Sequence, residues 1–217
     1  MSNPPFATGS YYHLYNRGVE KRNIFIAKRD YQQFLLTVDF YRKTPLPAKL
    51  SDFKRGMERA KKIENQINLV EIYSYCLMPN HFHFLLKQTM DGGITQFVRK
   101  FANSYTRFFN TKYDRIGPLF QGTFKAKIIE NDEYLLQVSK YIHRNPLKLN
   151  RDNLSSYPYS SYSYYLSQEK HPFCNTEFIL SYFSTTNPNL SYQSFVEETE
   201  IEDPTAYSLL IDSDEEK

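Results

Sequence analysis

The chain has 217 residues, 41% of them hydrophobic and 24% charged, enough for one sizeable core with a smaller appendage. It has no run of about 18 apolar residues, which excludes a bilayer-spanning helix and points to a soluble protein with no membrane partner. The formal net charge of +3 conceals a division: 25 Lys and Arg against 13 Asp and Glu up to Asn153, then 2 against 11 from Leu154 onward.

That basic front part suits a polyanion, nucleic acid foremost, and a solvated basic surface balanced by an acidic tail is the plain alternative. The two cysteines, Cys76 and Cys174, lack metal-type spacing, and the start Met-Ser-Asn-Pro-Pro-Phe-Ala lacks a secretory signal. Both fit a reducing, cytoplasmic setting without disulfides or a Cys-based zinc site. With 19 Tyr, 17 Phe and no Trp, most tyrosines must be core or surface residues, so any one proposed as a nucleophile needs independent support.

Residues 11–18 alternate as a first strand that includes Arg17, and Lys21 and Arg22 follow at once. His13 lies on that strand, where it can approach the His81 and His83 pair, though packing is its simplest use. Asp30 is placed to cap an amphipathic helix over 31–41, with Tyr31, Phe34, Leu35, Val38 and Tyr41 at helical spacing. Residues 44–69 read as a polar, basic insertion. Apolar runs at 70–77 and 81–87, joined by Met78-Pro79-Asn80, predict an antiparallel hairpin with Pro79 in its turn.

A long helix is expected over 94–113, its apolar stripe including Ile94, Phe97, Phe101, Tyr105 and Phe109. Arg99, Lys100, Arg107 and Lys112 lie off that stripe, and no acidic residue between Thr95 and Tyr113 pairs with them along the helix. Residues 119–129 read as a strand with Thr123, Lys125 and Lys127 on one face. A last helix, capped by Asn131 or Asp132, carries Leu135, Val138, Tyr141 and Ile142 and stops near Asn145 before Pro146; His143 is expected to face solvent or DNA. Residues 154–196 read as a Ser/Tyr-rich linker and small helical extension, and 197–217 as an acidic tail. As a hypothesis, the tail competes with DNA for the basic part of the chain. The order of elements closes economically as an α+β fold, an antiparallel β-sheet with helices packed on one face.

Two residue pairs carry chemistry. On an extended strand His81 and His83 point the same way, their Cα atoms roughly 6 to 7 Å apart, and can share an ion or serve as two hydrogen-bonded core histidines. Tyr141 and Asn145 are one helical turn apart on one face. Tyr141 alone reads as core; the Asn145 amide is a helix C-cap or needs polar company inside.

The sequence Tyr-Cys-Leu-Met-Pro-Asn-His-Phe-His-Phe-Leu-Leu at 75–86 is followed by Tyr-Thr-Arg-Phe-Phe-Asn-Thr-Lys-Tyr at 105–113. Then come Gly-Pro-Leu-Phe-Gln-Gly at 117–122 and Tyr-Ile-His-Arg-Asn-Pro at 141–146. Together they resemble the REP-associated tyrosine transposases, relatives of the single-tyrosine HUH transposases of insertion sequences, from Tyr12 to about Tyr162. The resemblance implies a ferredoxin-like HUH catalytic domain over 1–153 that cuts single-stranded DNA beside a hairpin and rejoins it through a covalent 5′-phosphotyrosine. It implies a divalent metal, Mg²⁺ or Mn²⁺, on His81 and His83, with Asn145 as third ligand and Tyr141 as nucleophile. The DNA contacts expected are Arg17, Lys21, Arg22, Arg99, Lys100, Arg107, Lys112, Lys125 and Lys127, with a monomer favoured over a homodimer. Thr123 stands where relatives have arginine. A domesticated relative that binds hairpins without cutting, an RNA-binding module and a metal-dependent hydrolase are the competing readings.

Overall fold

A seven-residue strand, β1 (Tyr11–Arg17), is organised by strict alternation: Tyr12 and Leu14 are fully buried on one side, His13 and Tyr15 are buried on the other. The computed structural model describes residues 3–46, 50, 66–149, 153–167 and 169–198. Most of the insertion read at 44–69, and the acidic tail beyond 198, lie outside the described residues. No described helix is long and apolar enough to cross a membrane.

β1 is followed by α1 (Lys28–Tyr41), a short ribbon of β2 (Lys43–Thr44) with β3 (Ile67–Asn68), and the hairpin of β4 (Val70–Met78) with β5 (His81–Gln88). Then come α2 (Gly93–Lys112), β6 (Lys125–Ile129) and α3 (Asp132–Arg144). Three short helices follow, α4 (Tyr162–Ser167), α5 (Thr176–Leu180) and α6 (Tyr192–Glu197). The main sheet has the order β4-β5-β1-β6 and is antiparallel throughout, the α+β class expected.

The covering differs from the expected single face. Tyr12, Leu14, Phe82, Phe84 and Leu86 meet the apolar stripes of α1 and α2 in one core. Leu85, Cys76, Met78 and Ile129, on the opposite face, meet α3 and the C-terminal helices in a second core. A register shift between Ile72 and Ser74 gives β4 one extra residue, so Tyr73 joins the second core while Ile72 and Tyr75 stay in the first. Fully buried Phe84 anchors the larger core, and truncating it to Ala would cost about 3–5 kcal/mol. α2 starts close against the sheet, where a Cβ on Gly93 would fall 2.2 Å from the Leu69 carbonyl oxygen.

Three local expectations change. α1 starts at Lys28, so Asp30 is its third residue and not its cap; its carboxylate reaches back to accept from the Ile26 and Ala27 N–H groups. Residues 119–124 are not strand: Gly117 and Gly122 take positive φ and only Phe120 bridges to Gly18. β6 therefore begins at Lys125. The Ser/Tyr stretch packs inward instead of running over the surface. Tyr157 and Tyr165 are buried and donate to the carbonyls of Leu77 and Tyr73, and Tyr162 donates to Glu197.

Candidate active site

The face of the sheet turned to α3 gathers the chemistry. In the antiparallel register Arg17 lies opposite His81, Tyr15 opposite His83, and, on the far side of β1, Lys125 opposite Tyr15 and Lys127 opposite His13. All of these side chains therefore share one face with His81 and His83. α3 lays Tyr141 across that face. The His81 and His83 rings are 5.0 Å apart, and the Tyr141 ring is 5.6 Å from those of His83 and His13 in edge-on contact.

The hydrogen bonds select which nitrogen of each histidine serves the site. His81 Nδ1 donates to the Asn80 side-chain oxygen at 2.6 Å, so its ring lone pair is on Nε2. His83 Nδ1 is 3.0 Å from His13 Nε2, while His83 Nε2 is buried with no hydrogen-bond partner. Burial, with the nearby His81, His13 and Lys148, holds His83 well below the usual imidazole range, so it is a neutral donor. Asn145 is 1% exposed; its amide nitrogen donates to the Tyr141 carbonyl at 2.9 Å and its Oδ1 has no hydrogen-bond partner. It is the C-cap residue of α3, with a helical φ of −50°.

Two imidazole nitrogens and an amide oxygen suit a divalent cation with positions left for substrate oxygens. Among the described residues no cluster of three or more His, Cys, Asp or Glu makes a ligand set by itself. The orphaned His83 Nε2 and Asn145 Oδ1 thus fit a metal better than a closed core, where such atoms cost about 1–3 kcal/mol each.

The expected basic residues divide between two faces. Arg17, Lys125 and Lys127 are on the face of the histidines, and Arg17 Nε donates to Gln121 at 2.6 Å. Arg99, Lys100, Arg107 and Lys112 are carried by α2 across the sheet and do not line the Tyr141 site. Arg107 and Lys112 instead border an open cleft of about 520 Å³ with Arg29. Lys112 is bound by Asp30 of α1, an acid distant in sequence. Lys21 is in the turn after β1, and Arg22 pairs with exposed Glu20 at 2.8 Å.

His143, expected to face solvent or DNA, is fully buried on the back of α3. Two residues were not assigned to the site from sequence. His13 touches both His83 and Tyr141, and only its place in register with Tyr11 and Tyr15 on β1 pointed there. The Lys148 ammonium is 5.4 Å from the Tyr141 ring centroid. Its signal was present: a spacing of seven is two helical turns, and the chain continues from α3 as a 3-10 turn, Asn145–Leu149.

The family model described as "Transposase IS200 like" matches residues 10–145, from the residue before β1 to Asn145. Among solved structures, the chain is similar to a REP-associated tyrosine transposase bound to a REP hairpin, at 15% identity and a TM-score of 0.49, over 79% of this chain and 89% of that one. It is also similar to a protein from Deinococcus radiodurans assigned as a transposase, at 14% identity and a TM-score of 0.37, over 66% of this chain and 96% of that one. No curated protein matches.

Proposed function

Because the chain belongs to the family of IS200-like transposases, we propose that it is a metal-dependent single-stranded DNA endonuclease and strand transferase working beside DNA hairpins, with Tyr141 as nucleophile. The observation that carries this reading is the pair of buried atoms without hydrogen bonds, His83 Nε2 and Asn145 Oδ1, on the two elements that frame Tyr141. The choice of a hairpin rests on the likeness of the sequence motifs to REP-associated enzymes.

His81, His83 and Asn145 would hold Mg²⁺ or Mn²⁺, which when bound polarises the scissile phosphate and offsets the charge that builds on it. Arg17, Lys125 and Lys127 share the face of the histidines and would fix the phosphate by charge-assisted hydrogen bonds. The Tyr141 oxygen bonds to phosphorus as the bond to the 3′ oxygen breaks. The phenol proton is lost and the leaving 3′ oxygen gains one, so the products are a 5′-phosphotyrosine and a free 3′ hydroxyl. Reversal of the step rejoins strands without ATP. Tyr141 and the histidines of one chain are already in contact, which supports a monomer acting in cis.

The test is incubation of 5′- or 3′-labelled hairpin DNA with Mn²⁺ and denaturing electrophoresis. Wild type forms a covalent protein–DNA adduct and Tyr141→Phe does not; His81→Ala binds DNA but does not cut. Binding without any adduct in wild type identifies a non-cleaving relative, and cleavage without an adduct identifies a hydrolase. Either outcome overturns the reading.

A further inference from the structure

Strand β1 brings a third imidazole into the site that the proposed reaction does not use. His13 is fully buried, with Nε2 3.0 Å from His83 Nδ1 and its ring inclined 22° to that of His83. Both rings are fully buried, which favours the uncharged form, and an uncharged imidazole carries one proton. A single proton lies in the bond between them.

Only two arrangements are open. If His13 carries its proton on Nε2, it donates to His83 Nδ1, and the His83 proton sits on Nε2, where it blocks coordination. If His13 carries its proton on Nδ1, its Nε2 accepts from His83 Nδ1–H, and the His83 Nε2 lone pair faces the site. Both arrangements leave the same two buried atoms, His13 Nδ1 and His83 Nε2, without a hydrogen bond. Hydrogen bonding within the pair therefore does not choose between them, whereas a cation on the Nε2 lone pair would.

We propose that His13 is the positioning residue for the metal ligand His83, a hydrogen-bond acceptor that fixes the ring and its Nδ1–H tautomer so that Nε2 can bind a divalent cation. This rests on the reading of His83 as a ligand. The partner of a ligating histidine is ordinarily a carboxylate or a carbonyl. A carboxylate at position 13 would draw Lys127 and Lys148, the two cations whose charge already reaches this imidazole, into ion pairs. A neutral acceptor orients His83 and makes no such claim on ammonium groups suited to a phosphate.

The experiment titrates the full-length protein with Mn²⁺ alone, without DNA, by calorimetry. His13→Leu removes the acceptor and is expected to weaken Mn²⁺ binding about 10- to 100-fold. His13→Gln, whose amide reaches the position of Nε2, is expected to stay within about threefold of wild type, a rescue that packing alone would not give. A His13→Leu protein that binds Mn²⁺ like wild type overturns the proposal. His83→Ala separates the two readings: unchanged affinity there defeats the ligand assignment itself, whereas lost affinity there with none lost in His13→Leu defeats only the role of His13. Nitrogen-15 spectra of the wild-type imidazoles at saturating Mg²⁺ decide the matter even if His13→Leu fails to fold. The proposal requires protons on His83 Nδ1 and His13 Nδ1; a proton on His83 Nε2 contradicts it.

Discussion

His143 and Tyr192 are joined through a 2.7 Å hydrogen bond between Nδ1 and the phenol oxygen, both buried, which fastens the back of the Tyr141 helix to α6. The neighbours fix its direction. Tyr192 donates to Ser139 Oγ at 3.1 Å, so it accepts from His143 Nδ1–H; His143 Nε2 accepts from the Ser161 hydroxyl at 2.8 Å, and Ser161 accepts from the Tyr75 N–H at 2.9 Å. One directed chain thus runs from β4 through α3 to the C-terminal segment. Tyr192→Phe breaks it and leaves His143 Nδ1 unsatisfied, which should lower unfolding free energy by about 1–3 kcal/mol in urea titrations.

Acid should destabilise the same region. Burial pushes His143 down to about 3; burial and then the Arg42 charge push His171 down to about 4. His143 is surrounded by Ser139, Ser161, Tyr162, Tyr165 and Tyr192, and His171 by Tyr75, Tyr164 and Phe173. Once unfolded, each binds a proton near pH 6.5. Between that value and the lowered ones the unfolded chain holds more protons, so stability falls as pH falls. At pH 5 each group should account for a loss of about 2 kcal/mol relative to pH 7.5. Urea midpoints across this range should drop for wild type and drop less for His143→Gln; a flat wild-type profile would contradict the assignment.

What the sequence revealed and what it hid follow from range. The His81 and His83 alternation and the Tyr141 and Asn145 spacing are set by strand and helix geometry alone, and both were legible. The start of β6 at Lys125 was not, because residues 119–124, with Leu119, Phe120 and Phe124, look like strand unless the turns at Gly117 and Gly122 are known. The burial of His143 depends on Tyr192, 49 residues later, and leaves no local mark. His13 looked like packing because its partner, His83, is 70 residues away.

Lys148 should matter to the reaction more than to the fold. It is exposed, yet its ammonium is 5.4 Å from the Tyr141 ring centroid and its charge reaches His13, His83 and buried Cys76. A cation there faces both the nucleophile and an incoming phosphate. Lys148→Ala should reduce adduct formation about 10- to 100-fold, with a urea midpoint close to wild type and a weaker salt dependence of DNA binding. Lys148→Arg should restore part of the rate. Equal loss in both variants would point to a specific ammonium contact instead of charge.

Lys112, by contrast, should behave as a structural residue. Its ammonium and the Tyr113 hydroxyl both donate to fully buried Asp30, which also accepts from the Ile26 and Ala27 N–H groups. Burial alone would raise the Asp30 carboxyl, but these bonds outweigh it and hold it below its ordinary range. The carboxylate thereby ties the first turn of α1 to the end of α2. Asp30→Ala removes the acceptor for four donors and should cost roughly 2–4 kcal/mol. Lys112→Met should also destabilise, though by less because the lysine is a quarter exposed, and should change DNA affinity less than Lys125→Ala or Lys127→Ala, which share the face of the histidines. Parallel urea and DNA titrations of these variants distinguish the roles, and a Lys112→Met protein of normal stability with weakened DNA binding would return Lys112 to the DNA-contacting set.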